Sequence, residues 1–496
     1  MLDGMPWRNL SLRPGVIRLV LALAFTALLA AGAPWHEVFL PDDEGFELMK
    51  AWLLQRGHRL YGEIWCDQPP LHTLLLSAAF HLFGATIATG RALALAFAAL
   101  CFWALSELVG RRHGHVAAAL ALLALTLSPG FTRMATSATI MLPALAVALL
   151  AVVLIEPAQG RTNRRWLALA GAVFGLAMQI KFIAVIVLPL AVWELTWTGN
   201  EVVGWRLAAR RLWVWGAGAA TVFLGGLLAF PEATADALWA PHLSAGTRAV
   251  FAGGGPRLHA LLQADAALLV IAAAGLLLAA VRRQTMLVPP LLLLAVAYAG
   301  HLWLRPFWSY YYLHLALPLA WLAAVAVRDL TVWVAEAGTG RGLGLRFVLV
   351  AGLFTPVLAQ LPERVEQVRA ALRPGDGVAR QVLADRIRQH AGAWVFTDQP
   401  ALAFQAGVPV PPEAVVLSQK RVRLGLFTER DLIRCLERRQ PGVVALGAGL
   451  PVGETARAYL AAHYQPPSLQ AGLIVHVRKE SGGLRHDGGA AIPHAK

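Results

Sequence analysis

The sequence predicts a mainly α, polytopic transmembrane helical bundle of about eleven spans, followed by a small C-terminal extracytoplasmic α/β domain. Three observations predict it. Apolar stretches long enough to cross a bilayer recur through the first three quarters of the chain, arginines cluster in the short links between them, and beyond about residue 361 charges become interspersed with short strand-like runs. With 57% apolar and only 15% charged residues and a mean hydropathy of +0.58, the 496-residue chain is excluded from the soluble globular class.

Taken in order, Arg8, Arg13 and Arg18 flank the apolar run 19–33. Its small-residue end also fits a cleaved signal, but many spans follow and the next residues carry chemistry, so a retained first helix is expected. Runs suited to crossing are 16–34, 88–109, 116–131, 137–155, 166–180, 182–198, 212–230, 262–281, 285–304, 311–328 and 344–360. The segment 70–84, holding His72 and His81, is short for a span and reads as an interfacial or re-entrant helix.

Charge supports that reading. With the N-terminus cytoplasmic and 70–84 not crossing, Arg111–Arg112, Arg161 with Arg164–Arg165, Arg206 with Arg210–Arg211, Arg282–Arg283, and Arg328 with Arg341 all fall inside. A crossing at 70–84 would turn the downstream clusters outward. The expected location is therefore the cell (inner) membrane, multi-pass, with loops 35–87, 128–136, 231–261 and 303–310, the link at Lys181, and everything after 361 on the outer face. The formal charge of +14 reads as topology rather than nucleic-acid binding.

Residues 1–360 thus form the membrane unit and 361–480 the α/β domain, with strand-like runs at 393–397, 442–446 and 473–477 and helices near 377–390, 429–439 and 454–463. The Gly-rich tail 481–496 is expected to be disordered. No fixed-period repeat is present. Cys66, Cys101 and Cys435 lack metal spacing; Cys101 reads as packing, and a Cys66–Cys435 disulfide across the outer face stays open without any local spacing to support it.

The chemistry-bearing segment follows the first span. Asp42, Asp43 and Glu44 precede Gly45 and a helical pattern of Phe46, Met49, Leu53 and Leu54. They suit either a helix N-terminus, with Glu47 complementing the dipole, or a catalytic carboxylate set beside a membrane. Further on, Tyr61 and Trp65 lead to Asp67-Gln68-Pro69-Pro70-Leu71, where the prolines make a rigid turn.

Asp43-Glu44-Gly45, Gly57-His58 with Leu60-Tyr61, Gln68-Pro69-Pro70-Leu71, Leu82-Phe83-Gly84 and Arg91 together, in this order and spacing, resemble glycosyltransferase family 39. That family groups protein O-mannosyltransferases with the bacterial aminoarabinose transferase of lipid A. The likeness covers roughly residues 15–200, including 171–181. It implies a C-type glycosyltransferase fold and an inverting enzyme that moves a sugar from a polyprenyl-phosphate donor to a glycan, lipid or protein acceptor at the outer face. It also places the catalytic base on Asp43, with Asp42 and Glu44 as neighbours. Relatives often carry a second acidic residue near the start of the fourth helix, where this chain reads Ala138-Thr139-Ile140-Met141-Leu142.

An acceptor hydroxyl needs a carboxylate to take its proton, and a departing phosphate needs fixed cations. Lys181 and Arg305 are the expected phosphate ligands, although either could instead anchor at the interface. His58, Tyr61, Gln68, Tyr311 and His314 are the remaining candidate substrate contacts, with an aromatic belt as the alternative for Tyr310, Tyr311 and Tyr312. His58, His72 and His81 have no regular metal-ligand spacing, so no metal ligand is assigned and a divalent cation stays open as cofactor. In the outer domain, Asp398 ends a strand and either contacts acceptor or sits in a plain loop, while Lys420, Arg421 and Arg423 suit anionic head groups or a solvated basic strand.

Two competing functions have distinct signatures. A transporter or flippase of lipid-linked sugars predicts repeated halves and charged mid-membrane helices, and an O-antigen ligase or polymerase predicts large late outer loops; the early acidic loop fits neither.

Overall fold

The computed structural model describes residues 13–35, 42–155, 163–198, 201–247, 251, 254–281, 287–303, 305–337, 341–373, 377–447, 449–450 and 452–479. Each of the eleven apolar runs falls on a helix. Among the described residues, only five helices are long and apolar enough to cross a bilayer alone: Pro14–Gly32, Ile87–Thr126, Trp205–Leu228, Ser309–Ala335 and Arg341–Ala359. The pair Gly255–Ala264 and Ala266–Val281, bent by 83°, makes a sixth. Met141–Val153 has 13 residues and extends about 20 Å, short of the roughly 30 Å apolar core. Helix length and composition by themselves thus bear out five or six of the expected eleven crossings.

Ile87–Thr126 covers two of the expected runs. Gly114 is non-helical, at φ 84, and a Cβ on Gly110 would lie 3.5 Å from that of Ala118. Residues eight apart in an unbroken helix stand about 12 Å apart, so the chain folds back at Gly114. Leu71–Phe83 is a short helix with Leu82 and Phe83 exposed at its end.

Met141–Val153 is enclosed almost all round and runs between two poles. At the pole beside Val153, Arg111 donates to the Val153 carbonyl and pairs with Glu107 at 2.8 Å. Arg18 pairs with the same Glu107 at 2.9 Å, and Arg112 with Glu194 at 2.5 Å. The opposite pole holds the polar cavity described below.

The C-terminal segment carries a four-stranded sheet in the order Val395–Thr397, Val443–Leu446, Leu473–Val477, Ser468–Gln470. The first pair is parallel and the other two are antiparallel. Three strands and the helices Gly377–His390, Glu429–Arg439 and Glu454–His463 follow the sequence pattern closely. Ser468–Gln470 was not anticipated, being short and partly exposed. Lys420, Arg421 and Arg423 lie on the helix Gln419–Arg423 rather than on a basic strand, because Ser418 caps that turn by accepting from the Arg421 N–H.

The packing does not break at residue 360. Phe46, Met49 and Leu53 of the first-loop helix share one apolar core with Leu383, Phe396, Leu436 and Val443 of the C-terminal segment. Phe404 stacks on Phe80 at 5.6 Å and meets Trp52 edge-on at 5.5 Å. All three cysteines are free and buried. The envisaged Cys66–Cys435 bridge is absent because Cys66 faces Lys50 and the Gln68 carbonyl, while Cys435 packs on the buried face of Glu429–Arg439. The tail expectation for 481–496 lies outside the described residues.

Candidate active site

Between the helical bundle and the C-terminal segment lies a cavity of about 1090 Å³. It is lined from every stretch that the charge pattern groups on one face: Asp43 and Gln68 from the first loop, Arg133, Lys181, His242, Arg305 and Lys420.

The helix Asp42–Gln55 positions the first set of groups. Its opening carboxylates suit a helix N-terminus, and Gly57, at φ 88, turns the chain just beyond its end. Asp43, Glu47 and Lys50 stand at i, i+4 and i+7, so one helix face presents all three to the cavity. Glu47 accepts from Lys50 Nζ at 2.8 Å and contacts His72 Nδ1 at 3.1 Å. Burial alone would raise the Glu47 carboxyl, but these two partners hold it at about 2.

Asp43 differs. It is half-buried, and among the described residues no cation closes on it within salt-bridge distance. Burial raises its pKa above the ordinary value, Lys181 opposes that shift, and the charges of Glu47 and Asp67 add to it. Lys181 sits in the break between the helices Arg164–Ile180 and Phe182–Val187, its ammonium 5.2 Å from the centre of the Tyr310 ring. Burial pushes its pKa down.

Asp67 is closed off by contrast. Lys420 donates to its carboxylate, and Gln68 Nε2 donates to it at 3.2 Å. Lys420 Nζ also lies 3.3 Å from His242 Nδ1. An ammonium only donates, so His242 carries its proton on Nε2 and gives it to the Asp67 carbonyl at 2.9 Å. Burial and the Lys420 charge lower the His242 pKa, keeping the ring neutral.

Glu44 points away from the cavity. Arg91 grips it with two bonds of 3.0 and 2.8 Å, and the Ala138 N–H adds a third at 3.0 Å. The Ala138 stretch, where the resemblance expected a second acid, therefore meets the acidic loop through backbone instead. The Asp42 side chain lies outside the described residues.

Gln68, Tyr311, Lys181 and Arg305 line the cavity; His58, Tyr61 and His314 do not. His58 packs against Trp394 at 6.1 Å and contacts Glu63 at 3.4 Å. Tyr61 donates its hydroxyl to the Gln68 carbonyl at 2.7 Å, supporting the site from below. His314 is buried behind Tyr311, its Nδ1 2.9 Å from Nε2 of His301. Asp398 accepts from the Gly447 N–H at 2.9 Å across the strand ends and is likewise outside the cavity lining. Arg421 stacks over Trp65 at 4.8 Å, and Arg423 lies 5.9 Å from Phe251. No three His, Cys, Asp or Glu side chains group as a metal-ligand set among the described residues.

Sequence reasoning passed over Lys50, Arg133, His242, Asp265 and Arg364, all of which line the cavity. Lys50 was legible as the i+7 partner of Asp43. Asp265, held by Arg364 and Tyr312, marks the 83° bend between two helices and becomes visible only in the fold.

A family model described as dolichyl-phosphate-mannose-protein mannosyltransferase matches residues 67–228. No curated protein matches by sequence. Among solved structures, the chain is similar to ArnT from Cupriavidus metallidurans bound to undecaprenyl phosphate, with 15% identity, 93% of this chain and 98% of that one covered, and a TM-score of 0.62. It is also similar to the Archaeoglobus fulgidus oligosaccharyltransferase in the apo form, with 14% identity, 96% of this chain and 76% of that one covered, and a TM-score of 0.58. The same archaeal protein in complex with an inhibitory peptide and a dolichol-phosphate matches with 14% identity, 95% and 75% coverage and a TM-score of 0.55. These likenesses show a shared fold, and the family model matches one stretch of the chain that the sequence resemblance also covers.

Proposed function

From the C-type glycosyltransferase fold, we propose that this chain transfers a sugar from a polyprenyl-phosphate donor to an acceptor hydroxyl at the outer face of the membrane, with inversion, and that Asp43 is the general base. The observation that carries this reading is the contrast among the cavity carboxylates. Glu47, Asp67 and Asp265 are each paired with a cation, whereas Asp43, beside the Tyr310 hydroxyl, has no cation within salt-bridge distance among the described residues and lies within the field of Lys181.

The acceptor oxygen attacks the anomeric carbon, the bond from that carbon to the phosphate oxygen breaks, and its electron pair leaves with the polyprenyl phosphate. The acceptor proton passes to Asp43. A single displacement inverts the anomeric centre. Lys181 and Arg305 face the growing phosphate charge and stabilise it more in the transition state than in the donor. The raised pKa of Asp43 makes it a stronger base than a solvated aspartate.

Orientation follows from the arginine pole around Glu107 and Glu194, which the positive-inside rule assigns to the cytoplasm. The C-terminal sheet then lies outside the membrane beside the cavity. The ligands of the structural neighbours, undecaprenyl phosphate and a dolichol-phosphate, support the donor class. The acceptor remains a glycan, lipid or protein hydroxyl.

The test is release of polyprenyl phosphate from a panel of polyprenyl-phosphate sugars by purified protein and by Asp43→Asn. Parent turnover that falls at least about a hundredfold in the variant supports the reading. Equal turnover in both moves the base elsewhere.

A further inference from the structure

The cavity cations divide into two classes. Lys50, Lys420 and Arg364 each form an ion pair with a cavity carboxylate, Glu47, Asp67 and Asp265 respectively. Arg133 forms none among the described residues, and its Nε is buried without a hydrogen-bond partner. Glu44, the acidic group acting on it through space, is already engaged by Arg91 and the Ala138 N–H. That Nε–H has lost water without gaining a protein acceptor, a cost that an anion bound in the cavity would offset.

The placement of Arg133 matches that need. Its helix, Pro129–Ala135, packs beside the turn Ser309–Tyr312, with a Cβ on Gly130 coming within 3.7 Å of the Tyr312 ring. Tyr310, at the other end of that turn, carries Lys181 over its ring. Arg133 and Lys181 therefore flank one aromatic turn, and Arg305 precedes it in the chain.

We propose that Arg133 is a third ligand of the donor phosphate, an assignment that rests on the polyprenyl-phosphate reading above. The charges agree with a monophosphate link. A sugar phosphodiester carries one negative charge, and the monoester that leaves gains a second as the anomeric bond's electrons pass to oxygen. Arg133, Lys181 and Arg305 have no carboxylate within salt-bridge distance among the described residues, so their charge is available to the departing monoester. The planar guanidinium can hold two phosphate oxygens at once, which an ammonium cannot.

The experiment measures binding of undecaprenyl phosphate, with undecaprenol as the uncharged control, to the full-length protein in detergent. R133Q should weaken phosphate binding at least tenfold with undecaprenol unaffected, and R133K should recover part of the loss. R133H supplies a control within one folded protein: its affinity, relative to the parent's at each pH, should fall as the imidazole loses charge above about 6.5. Binding by R133Q within twofold of the parent, an R133K no better than R133Q, or an R133H with no added pH dependence would each overturn the role of Arg133 alone. A parent that binds undecaprenyl phosphate no better than undecaprenol would overturn the donor reading itself.

Discussion

Lys420 and Asp67, 353 residues apart, form a buried ion pair that ties the C-terminal segment to the acidic first loop. Both side chains are about nine-tenths buried, so removing one partner strands the other charge. Lys420→Met should lower stability by about 3–5 kcal/mol, and Asp67→Asn combined with Lys420→Met should recover part of that. Thermal unfolding in detergent reads both. Lys420, with the Gln68 amide, holds the Asp67 carboxyl below its ordinary range despite burial. The pair's contribution is therefore full above the ordinary carboxylate pKa and lost as pH falls through the lowered one.

Lys181 opposes the upward shift of the Asp43 pKa. Lys181→Met removes that opposition, so Asp43 should bind its proton more tightly and the acid limb of the kcat profile should move to higher pH. A pH–rate profile of parent and variant checks the sign. A limb that stays in place would show that Asp43 is not the titrating base.

Gly45 lies against the C-terminal segment so closely that a Cβ would come within 2.5 Å of the Ala401 backbone nitrogen. Backbone cannot swing aside as a side-chain tip can. Gly45→Ala should cost about 1–3 kcal/mol and displace the helix that presents Asp43. Lower Tm together with lower kcat is the expected pair of readings.

Two adjacent carboxylates should fail in different ways. Glu44→Gln breaks the buried pair with Arg91 and should reduce stability by about 3–5 kcal/mol, whereas Asp43→Asn should leave unfolding nearly unchanged and abolish turnover. Parallel melting curves and turnover assays separate the two.

Much of this arrangement was legible in the sequence. Arginine placement and hydropathy grouped the loops that do converge on the cavity, because both patterns reflect the bilayer directly. The strands at 395–397, 443–446 and 473–477 followed from period and composition. What stayed hidden depends on pairing across distance. His58 and His314 had suitable chemistry but face away from the cavity, while Lys420 looked like solvated charge until Asp67 met it. The 13-residue Met141–Val153 shows that hydropathy records burial in protein and in lipid alike, since nearly all of its side chains are enclosed by neighbouring helices.

The shared core of the first-loop helix and the C-terminal sheet imposes an order on biosynthesis. Phe46, Met49 and Leu53 leave the ribosome hundreds of residues before Phe396, Leu436 and Val443, which complete the core they share. Through most of translation that apolar helix waits uncovered, a state that invites chaperones or lipid to shield it. On the proposed reading, activity should therefore appear only once the segment beyond residue 377 has packed against that helix, a late event in maturation.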